Sequence, residues 1–280
     1  MSISAIVVNH NAGESLLACV TSLVDSGIES IVIVDNGSYD QSIASVMRGY
    51  PAVRVILTGK NPGYGSAVNI GRREISDEYL FICNPDLVID QTAPSLLGEY
   101  LDHHRDAAIV GPRIFETNGE VYPSARAFPS IKDALGHALL SMFFPTNRFS
   151  RRYKFAAVRA THAISVDWVS GACFLARAEA FDQVGGFDER YFMYVEDLDL
   201  CWRLRQVKWL CAYLPAAKVI HRGGLSSDQH PYRMLVAHHV STWRFARRSL
   251  TGARSSMLPV VFVGIVARLV IALVRQFAHR

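Results

Sequence analysis

The segment Ile3-Ser4-Ala5-Ile6-Val7-Val8-Asn9-His10-Asn11 starts with mainly apolar, β-branched residues and ends on three polar ones. A short run of this kind is typical of a buried β-strand, which we place at residues 3–8. Three similar runs follow, each ending in polar or turn-forming residues, at residues 31–34, 53–57 and 79–83. Between the runs, apolar residues recur at helical spacing, which predicts helices at residues 15–26, 41–48 and 67–74.

Strand and helix therefore alternate four times in about ninety residues, which is typical of α/β proteins. Right-handed crossovers then give a single, doubly wound and mostly parallel sheet flanked by helices. In such sheets, ligands bind beyond the carboxyl ends of the strands. The polar residues after the four strands should therefore meet at one edge of the sheet, and they form the clusters Asn9-His10-Asn11, Asp35-Asn36, Asn61 to Gly65, and Asn84-Pro85-Asp86.

Composition narrows the class of protein. The chain has 280 residues, half of them hydrophobic and 19% charged, so a large core is available and global disorder is excluded. A net charge of +4 is too small to indicate a nucleic-acid partner, and we expect none.

The first residues contain no basic leader, so we expect the main domain to stay in the cytoplasm. The five scattered cysteines then indicate buried free thiols in a reducing compartment.

The C-terminal part of the chain is both basic and apolar. Residues 257–274 are almost wholly apolar, and arginines flank them on both sides. Pro259, Gly264 and Arg268 weaken a membrane-spanning interpretation, so we expect an interfacial helix anchored by arginines. The alternatives are a helix packed on the protein's own core or on a second copy in a homodimer.

Glu196-Asp197 is the strongest candidate for catalytic chemistry. These two carboxylates begin a predicted helix and follow an aromatic-rich segment that starts at Gly185-Gly186. Acidic residues also stabilise helix N-termini without any catalytic role, and that remains the alternative. The first strand lacks a Gly-x-Gly-x-x-Gly motif, which counts against a dinucleotide-binding dehydrogenase. It also lacks the glycine-rich basic loop of a sugar nucleotidyltransferase.

In combination, these motifs resemble glycosyltransferase family 2, which has the GT-A fold, and in particular its bacterial rhamnosyltransferases. The resemblance covers about residues 3–228. The matching segments, in chain order, are residues 6–11, 34–40, 61–69, 84–86 and 185–197, followed by His221, Gly224 and Ser226. It implies a GT-A domain at residues 1–228, with a nucleotide-binding half at about 1–111 and an acceptor half at about 112–228. Residues 229–280 would form a helical, membrane-associating extension.

The resemblance assigns nucleotide binding to residues at the strand ends. A carboxylate at Asp35 can accept hydrogen bonds from a base or ribose, and Asn9 lies after the neighbouring strand. The glycine-containing segment with Asn61, Gly63 and Tyr64 precedes a helix N-terminus, which suits a nucleotide or its diphosphate. An Asx-turn or helix cap at Asp35, and a plain turn at residues 61–65, remain the structural alternatives.

A metal site is expected at Asp86, because a hard cation such as Mg²⁺ or Mn²⁺ neutralises a diphosphate leaving group. The family pattern is often Asp-x-Asp, whereas Asn84 stands at the first position here and brings one charge fewer. The resemblance adds His221 as a metal or diphosphate contact. The alternatives are a strand-ending turn at Asp86 and a structural histidine.

For catalysis, the resemblance implies that Asp197 is the base that deprotonates the acceptor hydroxyl, while Glu196 orients Asp197 or the acceptor. Four further residues are candidates for contact with the acceptor or the diphosphate: Arg126, Trp168, Gly171 and Arg203. Each has a structural alternative, such as holding a loop, filling the core or lying on a helix surface.

The function expected from the resemblance is inverting transfer of L-rhamnose from dTDP-L-rhamnose to a lipid-linked saccharide acceptor in cell-surface polysaccharide synthesis. The site would lie at the cytoplasmic face of the inner membrane. One alternative is a glycosyltransferase that uses a UDP- or GDP-sugar. Another is a membrane-associated scaffold that binds sugar nucleotides without turnover.

Overall fold

A ten-stranded sheet forms the centre of the computed structural model, which describes residues 1–128, 159–222 and 231–278. Two short strands, β8 and β10, pair separately. The strands are β1 (Ile3–Asn9), β2 (Ser30–Asp35), β3 (Arg54–Leu57), β4 (Tyr79–Cys83), β5 (Leu87–Ile89), β6 (Ala107–Glu116), β7 (Val121–Tyr122), β8 (Ala125–Arg126), β9 (Ile164–Val166), β10 (Trp168–Val169), β11 (Cys173–Arg177) and β12 (Leu210–His221).

The helices lie on both faces of the sheet and at the C-terminal end of the chain. They are α1 (Glu14–Asp25), α2 (Ser42–Gly49), α3 (Tyr64–Arg72), α4 (Ala93–His103), α5 (Ala178–Gln183), α6 (Glu196–Gln206), α7 (Pro231–Ser249) and α8 (Leu258–Ala278). A 3₁₀ helix, Gly252–Met257, joins α7 to α8.

The sheet has the strand order β3-β2-β1-β4-β11-β6-β12-β5, with β7 beside β6 and β9 beside β12. β1 to β4 are mutually parallel, as the first ninety residues predict, and β6 is parallel to β12. β11 runs antiparallel between β4 and β6 and closes the gap between the two parallel groups. The predicted α/β fold with a mostly parallel sheet is therefore confirmed.

Alternate side chains of β1 enter two different cores, because successive residues of a strand point to opposite faces. Ile6 packs in the core beneath α3, α5 and α6, whereas Val7 packs in the core beneath α1 and α4. Both side chains are fully buried. Coverage on both faces explains why these strands are continuous apolar runs. All five cysteines are buried and free, as predicted.

Several elements differ from the sequence-based prediction. Residues 210–214 and 218–220 form two short apolar runs in the sequence, a pattern that predicts two strands. Both belong to the single strand β12, whose pairing with β6 shifts register between Leu214 and Lys218. Pro215 lies within that shift and has no N–H to donate to a ladder. β5 and α4 were not predicted. The boundary proposed at residue 111 falls inside β6, so the two proposed halves share one sheet.

Some expectations fall on residues outside those that the structure describes. Residues 113–165 mix turn-forming, aromatic and basic residues, a composition that predicts a mobile acceptor loop, and residues 129–158 of that segment are not described. Gly224, Ser226 and the domain boundary expected at residue 228 also lie outside the described residues.

The apolar C-terminal segment is a helix, α8, as predicted. Gly252–Phe277 is long and apolar enough to cross a membrane, judged by length and composition, and its apolar window is not buried in the protein. The alternative of a helix packed into the protein's own core is therefore wrong. α8 touches α7 through Trp243 and Phe262, whose ring centroids lie 5.1 Å apart.

Candidate active site

The carboxyl ends of β1 and β2 meet at a buried polar cluster, as the topology predicts. Asn9 ends β1 and donates from Nδ2 to Asp35 Oδ1 at 2.7 Å, to Ser42 Oγ at 2.9 Å and to Ser38 Oγ at 3.0 Å. Asp35 ends β2 and accepts a hydrogen bond at Oδ2 from the Ser38 backbone N–H at 3.0 Å. This bond and the one from the Ser38 hydroxyl fix the Asp35 carboxylate at the end of β2.

Three asparagines at this edge keep buried polar atoms without a hydrogen-bond partner in the protein. The atoms are Asn9 Oδ1, Asn11 Nδ2 and Asn36 Oδ1. An unsatisfied buried polar group is costly, so such groups at a strand edge favour a ligand that completes them. A nucleotide base or ribose offers both donors and acceptors.

The predicted turn at residues 61–65 packs closely against the segment before α6. Gly63 has a φ of +99°, and a Cβ there would lie 2.3 Å from the Phe192 carbonyl oxygen. The Tyr64 N–H donates to that same oxygen at 3.2 Å. Asn61 Oδ1 accepts from the Gly63 N–H at 3.0 Å, so Asn61 shapes the turn. Only glycine allows this approach between the two segments.

A chain of hydrogen bonds links Tyr64 to the predicted base. The Tyr64 hydroxyl donates to the Gly171 carbonyl at 2.6 Å, and the Gly171 N–H donates to Asp197 Oδ2 at 2.9 Å. Asp197 Oδ1 accepts from the Leu198 N–H at 2.8 Å. The structure therefore brings Tyr64 and Gly171, expected at the nucleotide and the acceptor, to the Asp197 carboxylate, which the Gly171 N–H holds.

The two carboxylates at the start of α6 have different surroundings. Glu196 is 7% exposed, and its Oε2 has no hydrogen-bond partner. Burial, with the neighbouring charge of Asp197, raises the pKa of Glu196 to about 8. Burial also raises the pKa of Asp197, and the backbone N–H groups of Gly171 and Leu198 oppose that effect. At neutral pH, Glu196 therefore favours its protonated form.

The residues just before α6 have unusual backbone conformations. Tyr194 and Val195 have φ values of +66° and +69°, which strain side chains with a Cβ, especially a β-branched one. Helix α7 lies against this segment: the Ser241 hydroxyl donates to the Met193 carbonyl at 3.0 Å, and the rings of His238 and Tyr194 are in edge contact. These contacts stabilise a strained segment directly before Glu196.

Asp86 and His221 lie together, as the sequence-based hypothesis required. His221 ends β12 and its Nε2 is 3.2 Å from Asp86 Oδ2. The hydrogen bond to Asp86 raises the pKa of His221. Asp86 Oδ1 is buried and has no partner. Within residues 1–128, 159–222 and 231–278, no group of three or more potential metal-ligating side chains occurs.

Arg126 and Trp168 lie opposite each other in the β8–β10 pair. The Arg126 guanidinium lies 5.0 Å from the Trp168 ring centroid, and its charge opposes the rise that burial causes in the pKa of Asp197. Arg126 therefore lies near the carboxylate pair. Trp168 is only 5% exposed and donates from Nε1 to the Ala127 carbonyl at 3.1 Å. Its ring is part of the core, so the structure favours the buried alternative over an acceptor floor.

Arg203 does not face the site, contrary to the expectation of a diphosphate contact. Its guanidinium donates to Asp199 Oδ2 at 2.7 Å and to the carbonyls of Val184 and Gly186 at 2.6 and 2.7 Å. All three of its nitrogens are engaged, so Arg203 holds the segment before α6. Sequence analysis did not single out Asp199 as its partner, although an Asp and an Arg four residues apart on a helix were a usable signal.

Comparisons with known proteins indicate the family to which this chain belongs. The sequence model of Glycosyl transferase family 2 matches residues 4–185. An N-acetylglucosaminyl-diphospho-decaprenol L-rhamnosyltransferase from Mycobacterium tuberculosis (strain CDC 1551 / Oshkosh) is 39% identical over 230 residues. That alignment covers 77% of this chain and 74% of the relative. Rhamnosyltransferase WbbL from Escherichia coli K12 is 24% identical over 251 residues, covering 87% of this chain and 92% of the relative.

Solved structures share the fold. GalNAc-T7, crystallised with UDP, GalNAc and Mn²⁺, superposes with a TM-score of 0.60 at 15% identity. The match covers 81% of this chain and 44% of that one, so this chain spans less than half of GalNAc-T7. The GT-A expectation is confirmed. The matched sequence model and the 39% identical relative establish that this chain is a glycosyltransferase and belongs to glycosyl transferase family 2.

Proposed function

We propose that the protein transfers L-rhamnose, with inversion, from dTDP-L-rhamnose to a saccharide carried on a lipid diphosphate. The observation that carries this proposal is the position of Asp197, a half-buried carboxylate held by the Gly171 N–H at the start of α6. The donor and acceptor classes rest on the 39% identical relative, whose name specifies rhamnosyl transfer to a decaprenol-linked substrate.

In this proposal Asp197 takes the proton of the acceptor hydroxyl. The acceptor oxygen forms a bond to the anomeric carbon on one side while the bond to the nucleotide diphosphate breaks on the other. The proton goes to Asp197, the sugar to the acceptor, and the negative charge to the diphosphate. A base placed in this way contributes about 10² to 10⁴ in rate. Glu196, whose raised pKa favours its neutral form, leaves the negative charge on Asp197.

The nucleotide would lie at the edge formed by Asn9, Asp35 and Asn36. Asn9 Oδ1 and Asn36 Oδ1 can contact the base or ribose, since both atoms are buried and have no hydrogen-bond partner among the described residues. Asn61 and Gly63 place the start of α3 beside the same edge, where backbone N–H groups favour a diphosphate.

A divalent cation fits the residues at Asp86 and His221. Asp86 Oδ1 is buried without a partner, and His221 Nε2 lies beside the other oxygen. Mg²⁺ in such enzymes commonly has one or two carboxylate ligands, with substrate phosphates completing its shell, so a small protein ligand set is suitable. When bound, the cation would neutralise charge on the leaving diphosphate. Asp86 and His221 would hold it.

The extension supports placement of the enzyme at the cytoplasmic membrane surface. α8 exposes large apolar side chains along its length, including Val263 at 65% and Val270 at 53%. α7 runs alongside α8 and carries several arginines, which would be costly inside hydrocarbon. An interfacial position keeps α8 in the apolar boundary and α7 in water.

The test is transfer by the full chain to a lipid-linked N-acetylglucosamine diphosphate, using dTDP-rhamnose, UDP-sugars and GDP-sugars, with and without Mg²⁺ or Mn²⁺. We expect selective, metal-dependent use of dTDP-rhamnose. Asp197→Asn should lower kcat about a thousandfold with donor affinity retained. The control Asp25→Asn alters an exposed carboxylate on α1 and should change neither.

Other outcomes separate the alternatives. Preference for a UDP- or GDP-sugar would overturn the donor but keep the enzyme class. Donor binding without turnover in the unmodified protein would support a scaffold. Metal dependence that persists unchanged in Asp86→Asn would contradict the metal site.

A further inference from the structure

A basic groove lies on the outer side of α7, away from the strand ends. Its volume is about 360 Å³, and it is lined by Arg190, Val240, Trp243, Arg244, Arg247 and Arg248. Four of the six lining residues are arginines, and none is acidic. Guanidinium groups bind phosphate oxygens with paired hydrogen bonds, so this lining favours a phosphate-bearing ligand.

The groove keeps positive charge beyond what its neighbours neutralise. Arg190 and Arg248 contact Asp188, and Arg248 and Arg203 contact Asp199. The four arginines that line the groove therefore face two aspartates, which leaves a surplus of two positive charges. Arg247 is exposed, and no salt bridge or hydrogen bond joins it to another described residue. It can therefore bind an external anion without breaking an internal contact.

The groove lies next to the apolar helix. Trp243 forms one wall, and its ring is in edge contact with Phe262 near the start of α8. Phe262 is itself 47% exposed, and Val240 in the groove is 49% exposed. Tryptophan beside arginine is the combination that membrane proteins place at headgroup level. If α8 lies in the membrane surface as proposed above, the groove opens at the level of the lipid phosphates.

The groove is separate from the reaction centre. Asp197 and Asp199 are two residues apart on α6, which at 3.6 residues a turn places their side chains about 200° apart. Asp197 faces Gly171 and the sheet, whereas Asp199 faces Arg248 and α7. An anion in the groove would therefore lie on the far side of α6 from the catalytic base. That position does not suit the diphosphate of a bound acceptor or donor.

We propose that this groove binds the phosphate of an anionic membrane lipid, such as phosphatidylglycerol, and so fixes the enzyme's orientation on the membrane. Arg247 and Arg244 would contact the headgroup while Trp243 lies at the boundary with the acyl chains. This inference rests on the proposed seating of α8 at the membrane surface.

The experiment is sedimentation of the full chain with two kinds of vesicle. One kind is pure phosphatidylcholine, and in the other about one lipid in three is phosphatidylglycerol. We expect tighter binding to the anionic vesicles. Arg247→Gln should weaken that binding about fivefold, since one basic residue near an anionic surface contributes about 1 kcal/mol. Arg247→Glu should weaken it further. The matched control Arg48→Gln removes an exposed arginine of α2 and should change nothing.

Three readouts keep this inference separate from the proposed function. Binding to pure phosphatidylcholine reports α8 alone and should be equal in all variants. Sugar transfer to a detergent-solubilised acceptor reports the active site and should also be unchanged by Arg247→Gln. Equal binding of Arg247→Gln and unmodified protein to anionic vesicles would overturn the groove. The proposal would also be overturned if the protein showed no preference for anionic vesicles while millimolar inorganic phosphate occupied the groove, because the ligand would then be free phosphate.

Discussion

Arg248 Nη1 lies 2.9 Å from both carboxylate oxygens of Asp199, and its Nη2 lies 2.7 Å from Asp188. Asp199 is fully buried on α6, and Arg248 is on α7. Arg248 therefore ties the C-terminal extension to the helix that begins with Glu196 and Asp197. The Tyr191 hydroxyl also donates to Asp199 at 3.1 Å, so the same carboxylate holds the segment before α6.

Replacing Arg248 should destabilise the fold. Arg248→Met leaves Asp199 buried with one fewer cation, and loss of one partner of a buried ion pair is strongly destabilising. Because Arg203 still pairs with Asp199, we expect a loss of about 2 kcal/mol in the free energy of unfolding. The measurement is urea denaturation. Arg247→Met, at the adjacent exposed position, should change stability by less than about 0.5 kcal/mol, and equal losses in the two variants would contradict this assignment.

Glu196 should make stability fall as pH rises. Its pKa is about 8 in the folded protein, against an ordinary value of 4.5, so the folded state keeps a proton that the unfolded chain has lost. Stability is therefore lost between about pH 4.5 and pH 8, and is constant above that range. Glu196→Gln mimics the neutral form and removes this dependence.

The measurement compares unfolding free energies of Glu196→Gln and unmodified protein at pH 5 and pH 8. We expect the difference in favour of Glu196→Gln to grow by more than about 1 kcal/mol across this range. The control is Glu29→Gln, at an exposed loop position. Parallel pH profiles for Glu196→Gln and unmodified protein would show that Glu196 is ionised in the folded state.

Gly63 should tolerate no side chain. Alanine there places Cβ 2.3 Å from the Phe192 carbonyl, so the turn and the segment before α6 must separate. We expect Gly63→Ala to cost at least about 3 kcal/mol and to weaken binding of dTDP-rhamnose. Gly59→Ala is the matched control, because Gly59 also has a positive φ, +70°, with no atom within 4 Å of the added Cβ. It should cost about 1 kcal/mol, and calorimetric titration should show unchanged donor affinity.

Charges on α8 should release the protein from membranes. Val263→Asp combined with Val270→Asp places two charges on the exposed apolar surface. We expect a loss of binding to phosphatidylcholine vesicles of more than tenfold, with unchanged thermal stability, because neither residue is part of the core. Val24→Asp, at an exposed valine of α1, is the control. Retained vesicle binding in the double variant would show that α8 packs on protein instead, such as a second copy of the chain.

The first four strands and the helices between them could be predicted because they depend on local patterns. Short apolar runs specified β1 to β4, and their polar ends specified the edge where Asn9 and Asp35 meet. α4 was not predicted, although Ala93, Leu97 and Leu101 recur at helical spacing and are buried. Pro215 separates two short apolar runs that the structure joins in the single strand β12. The antiparallel placement of β11 depends on pairing across about ninety residues, which local patterns do not contain.

By itself, the sequence determined the α/β class, the edge of the sheet that carries the site, and the identity of Asp197, Asp86 and His221 as candidates, since each follows from residue type and order. Only the tertiary structure decided how these residues are used. It turned Arg203 toward Asp199, buried Trp168 beneath Arg126, and connected Tyr64 to Asp197 through Gly171. Those outcomes depend on which polar side chains become buried beside one another and must then be hydrogen-bonded. Only the packing of segments that are distant in the sequence decides this.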